Sequence, residues 1–135
     1  SNASICLVHG MSRPLGSNFK VPHGLSNAML LPTITEFSID HAKSRYADCS
    51  RAGNFASPDD DDNTACEKLI KGLYKLNKDF DVPSMKTFGI DEKNFEDQLE
   101  NMATDAEISG APGLNPRVPS VKEMINLYGE AWRAF

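Results

Sequence analysis

Only three cysteines, Cys6, Cys49 and Cys66, occur in the 135 residues, and their spacings of 43 and 17 match no CxxC metal pattern. That excludes a disulfide framework and reads as reduced, mostly buried thiols of a cytoplasmic protein. Basic residues are also short: 14 Lys and Arg against 19 Asp and Glu give a net charge of −5 with no cationic cluster. Nucleic acid is thereby excluded as a partner, because phosphate binding needs a positive footprint. The longest nearly apolar run, Ala28 to Ile34, is far too short to span a bilayer. No secretory signal is visible, and Ser1-Asn2-Ala3 has the look of a cleaved expression tag, set aside from fold reasoning. Strand signals are missing too: no period-2 run of β-branched residues exceeds four positions. Neither an internal repeat nor a Gly-rich phosphate loop is found. A chain of 14.8 kDa folds to about 7,000 Å² of surface, enough for one modest core.

What is present is helical periodicity. Val121, Met124, Ile125, Tyr128, Trp132 and Phe135 form one apolar stripe. Ser120 and Glu123 in front of it spell a capping box. Phe95, Leu99, Met102 and Ala106 follow Asp91 as N-cap. A further helix is expected from about Asn63 to Lys78, with Cys66, Leu69, Ile70, Leu73 and Leu76 inward and Asp81-Val-Pro83 ending it. Asp40 is expected to open a short helix closed by Gly53. The first third divides into helices over Ile5 to Leu15 and Pro22 to Phe37, the second bent by Pro32. Gly110 to Arg117 is a connector that cannot be helical throughout. The fold class is all-α, a helical bundle.

The acidic run Asp59 to Asp62 lacks the glycine and distal glutamate of a calcium loop, so it reads as a solvated approach to a helix N-terminus. Of the three histidines, His41 sits among charged residues and reads as surface. His9 and His23 each precede a glycine in an apolar neighbourhood, fourteen residues apart. On adjacent helices they could converge on one cation, or they could be satisfied core histidines. The apolar segment Ile5, Leu7, Val8 and Met11 follows the tag remnant at once, as in a fragment of something longer.

Residues 8–16, Val-His-Gly-Met-Ser-Arg-Pro-Leu-Gly, and 21–32, Val-Pro-His-Gly-Leu-Ser-Asn-Ala-Met-Leu-Leu-Pro, resemble the metal-binding signature of the iron-containing (group III) alcohol dehydrogenases. That signature has a histidine before Gly-Met, a Pro-Leu-Gly turn and a Pro-His-Gly-x-x-Asn-Ala run at this separation. Asp81-Val-Pro83, Phe88-Gly-Ile-Asp91 and Asn115-Pro-Arg117 before a last helix look like the family's tail. The resemblance implies a partial carboxy-terminal helical metal-binding domain over residues 4–135, without the amino-terminal dinucleotide-binding domain. It further implies that His9 and His23 are the last two of the family's metal ligands, one aspartate and three histidines. The metal would be Fe(II) or Zn(II) and the hydride carrier NAD(P), neither held tightly by this piece alone. Many members carry a second histidine four residues after the metal histidine, where this chain has Arg13. A guanidinium stays charged and cannot serve as a base. Arg13 is therefore the catalytic-site candidate as a contact for a carboxylate or phosphate, against the alternative of a surface or structural arginine.

The leading functional reading is thus a fragment, inactive alone, of a metal-dependent NAD(P)-linked alcohol dehydrogenase. Its substrates would be small alcohols, aldehydes or hydroxy acids, and a homo-oligomer is admissible. The rival reading is a non-catalytic helical interaction or oligomerisation module whose histidines are structural.

Overall fold

Caps and prolines divide the chain into seven α-helices among the residues described by the computed structural model, 5–134. They are α1 (Leu7–Phe19), α2 (His23–Ser38), α3 (Lys43–Ala52), α4 (Asp62–Asp79), α5 (Met85–Phe88), α6 (Glu92–Ile108) and α7 (Val121–Arg133), with 3-10 turns at Ile39–His41 and Ala111–Leu114. No strand occurs among the described residues, as an all-α chain requires. Residues 1–3, which read in the sequence as a tag remnant, Ser4 and Phe135 at the end of the last stripe lie outside the described residues.

The capped starts are where local chemistry puts them. Asp61 Oδ1 accepts from the Thr64 N–H at 2.7 Å and Asp91 Oδ1 from the Asn94 N–H at 2.9 Å. The capping box closes both ways: Ser120 Oγ accepts from the Glu123 N–H, and Glu123 Oε2 accepts from the Ser120 N–H. Each pair satisfies backbone donors that a helix start leaves open.

Three expectations need correction. Helix α1 runs beyond Leu15, through Pro14, to a left-handed Lys20 at φ 56°. Asp40 lies in the 3-10 turn, and α3 starts at Lys43 behind Ala42, which offers no side-chain cap. Leu76 is exposed, and the buried position at that level of α4 is Asn77. The connector, as expected, is not helical throughout and holds only a 3-10 turn, while α5 is a short helix that the apolar spacing does not announce.

Asn77 has a clear reason to be inside. Helix α2 passes Pro32 without ending, and a proline has no N–H for the carbonyl four residues back. That carbonyl belongs to Ala28, and Asn77 Nδ2 donates to it at 2.8 Å. A side chain on α4 thus fills the gap that Pro32 makes in α2.

Helices α1, α2, α6 and α7 share the main core, built on Leu7, Met11, Leu15, Met29, Leu30, Phe95, Met102, Met124 and Tyr128. Tyr128 is fully buried and its hydroxyl donates to the Met11 carbonyl at 2.6 Å, which joins α7 to α1. Burial pushes the Tyr128 phenol far above its ordinary pKa. Trp132 stacks on Phe95 with ring centroids 4.5 Å apart, which joins α7 to α6. A smaller cluster of Ile39, Ala47, Ala56, Ala65 and Cys66 holds α3 against α4. The folded surface of 7637 Å² is what one domain of this mass should show.

Candidate metal centre

Helix α1 carries His9 and helix α2 opens with His23. Only residues 20–22 separate the two helices, and this link lies back against α1. A Cβ on Gly16 would stand 3.0 Å from the Val21 carbonyl oxygen, so glycine is what lets the link approach. The Pro-Leu-Gly segment that resembles a turn in sequence is therefore helical here, and its glycine serves packing. Gly10, beside His9, does the same for the other flank: a Cβ there would meet Pro112 Cδ at 3.0 Å. Gly24, beside His23, has no such packing duty, since a Cβ there would meet nothing within 4 Å.

The result is an imidazole pair. The rings of His9 and His23 have centroids 5.4 Å apart and planes tilted by 49°. A metal–nitrogen bond near 2.0–2.1 Å puts a ring centroid about 3.2 Å from the cation, so two ligands at a tetrahedral angle lie about 5 Å apart. The observed separation fits two ligands of one cation. His9 is half-buried, and its Nδ1 is fully buried with no hydrogen-bond partner. A buried imidazole nitrogen left unsatisfied is costly in a purely structural histidine. Neutral imidazoles are suitable donors for Fe(II) or Zn(II). Among the described residues no group of three or more His, Cys, Asp or Glu could hold a metal ion, so the pair provides two donors and no more.

The two histidines sit in matching frames. His9-Gly10-Met11-Ser12 and His23-Gly24-Leu25-Ser26 repeat the pattern His-Gly-x-Ser. Both serines are fully buried, and each donates its hydroxyl to its histidine's carbonyl, at 3.2 Å for Ser12 and 2.9 Å for Ser26. This repeated frame is written in the sequence, but its purpose shows only once the serines are seen inside. The same holds for Asn27, one helical turn after His23, whose Nδ2 lies 3.2 Å from His23 Nε2. Arg13 stands one turn after His9 and is exposed. His41 is also exposed and takes no part in the pair. A separate cleft of about 630 Å³, lined by Ile39, Asp40, Lys43, Cys66 and neighbours, contains neither paired histidine.

The fold is all-helical, and its first two helices bring the imidazoles of His9 and His23 side by side. The chain belongs to the iron-containing alcohol dehydrogenase family, whose C-terminal region matches residues 1–132. It is similar to lactaldehyde reductase from Escherichia coli (strain K12), with 29% identity over 98% of this chain and 34% of the relative. It is 32% identical to an alcohol dehydrogenase from Thermococcus barophilus over 97% of this chain and 32% of the relative. Among solved structures it resembles the alcohol dehydrogenase from Oenococcus oeni at a TM-score of 0.85, with 28% identity, covering 96% of this chain and 33% of that one. The iron-containing alcohol dehydrogenase from Thermococcus thioreducens gives a TM-score of 0.81 and 32% identity, covering 96% of this chain and 32% of that one. The chain spans about a third of the length of the curated relatives it matches. No helix among the described residues is long and apolar enough to cross a membrane.

Proposed function

We propose that this chain contributes half of the metal centre in a metal-dependent, NAD(P)-linked alcohol dehydrogenase, with His9 and His23 as two ligands of Fe(II) or Zn(II). The observation that carries the reading is the 5.4 Å approach of the two imidazoles, at a spacing that one cation requires. Relatives named as alcohol dehydrogenases and a lactaldehyde reductase support it, as does their threefold greater length. An aspartate and a third histidine from elsewhere in the whole enzyme would complete the donor set, and a dinucleotide-binding domain would supply NAD(P). The cation, when bound, stabilises negative charge on the substrate oxygen while hydride passes between its carbon and the nicotinamide. The residues of this chain hold and orient: α1 and α2 fix the imidazoles, and the exposed Arg13 guanidinium is placed to contact an anionic group of substrate or cofactor. Small alcohols, aldehydes or hydroxy acids are the substrates in this reading, and the cytoplasm is its compartment. Alone, the chain is inactive and binds metal weakly.

The test is metal content and NAD(P)-linked turnover of the whole enzyme with His9→Ala and His23→Ala. Each should lose bound metal and activity together, by more than the roughly 10–100-fold typical of losing a group behind a ligand. Full metal occupancy in both variants would remove the reading.

A further inference from the structure

We propose that Asn27 sets the tautomer of His23, holding the ring so that its Nε2 lone pair, not an N–H, is presented to a cation. The inference rests on the metal reading above, and deepens it by adding a positioning residue.

Asn27 follows His23 by four residues on α2, so the two side chains lie on one face. Its amide nitrogen is 3.2 Å from His23 Nε2. An amide N–H can only donate, so Nε2 must accept, and the proton of the neutral ring is then on Nδ1. That tautomer is the one a cation needs for ligation through Nε2, because the partner of one ring nitrogen decides what the other carries. The amide thus stands in for the cation when none is bound, and must give way when one arrives. The opposite amide orientation would put Oδ1 against Nε2, demand an N–H there and turn the lone pair away. Asn27 Oδ1 is instead buried without a hydrogen-bond partner.

The experiment is nitrogen-15 spectroscopy of the histidine rings in the metal-free 135-residue chain, near pH 8, where an ordinary histidine is neutral. His23 is expected to show one tautomer, with unprotonated Nε2 and protonated Nδ1. Asn27→Ala should convert it to a mixture of both tautomers while His9 and His41 keep their signals. Asn27→Asp, whose carboxylate only accepts, should drive the proton onto Nε2. A protonated Nε2 in the unaltered chain overturns the proposal, and this spectrum decides the matter even where a variant fails to fold. An unchanged His23 signal in Asn27→Ala overturns it equally. Zinc chloride, added to millimolar concentration, tests the underlying reading separately. Joint movement of the His9 and His23 signals, with release of the Asn27 amide protons, supports both. A His23 tautomer as expected, with no response of either ring to zinc, leaves the assignment of Asn27 standing and sinks the metal reading.

Discussion

Arg13 lies one turn beyond His9 on α1, is exposed, and forms no ion pair among the described residues. A guanidinium so placed can bind an anion in two-pronged fashion without first giving up another partner. In the whole enzyme, Arg13→Ala should lower kcat/KM for hydroxy acids by roughly tenfold to a hundredfold more than for uncharged alcohols. Arg13→Lys should recover part of that loss, since an ammonium lacks the planar arrangement of donors. Steady-state kinetics on one charged and one neutral substrate measures it, and equal losses on both would show Arg13 to be structural or a cofactor contact. At this scale the sequence is informative about identity and silent about orientation. His9 and His23 stand out because each is followed by glycine, and the structure does bring their rings together. Asn27 does not stand out, because a helical asparagine is ordinary until the ring beside it is located in space.

Among the elements, α2 and α4 depend on each other through one missing N–H. Asn77 Nδ2 occupies the Ala28 carbonyl that Pro32 leaves free. Asn77→Ala should therefore destabilise the chain by about 1–3 kcal/mol, the usual cost of a buried polar group left without a partner. With Pro32→Ala in place, residue 32 supplies its own N–H to Ala28, and the cost of Asn77→Ala should shrink. Urea unfolding of the four proteins of this cycle gives the coupling, and strict additivity would refute the link. Helix starts are readable because a cap is a local event: Asp61, Asp91 and Ser120 each bond a backbone N–H three residues on. Asp40, Leu76 and Asn77 are not, because their fates are decided by which helix lies opposite. The run through Pro14 is hidden for the same reason, since packing of Leu15 and Met11 in the main core outweighs one lost hydrogen bond.

For the whole molecule, acid stability follows from three surface carboxylates. Asp61 is held below the usual carboxyl range by the Thr64 N–H, Glu123 by the Ser120 N–H and then Arg117, and Asp60 by the Lys68 ammonium. A folded-state pKa below the unfolded one gives stabilisation that is complete above the unfolded value and is lost as pH falls through the folded one. The melting temperature should therefore be insensitive to these groups from about pH 6 to 8 and decline below about pH 4. Calorimetry across that range checks it, and Glu123→Gln should flatten part of the decline. The stacking of Trp132 on Phe95 has a different consequence. Trp132 is the one indole in the chain, so every photon of tryptophan emission originates where α7 meets α6. Fluorescence therefore acts as a built-in gauge of that contact: an emission shift that precedes loss of helical circular dichroism would report α7 lifting away while the other helices persist.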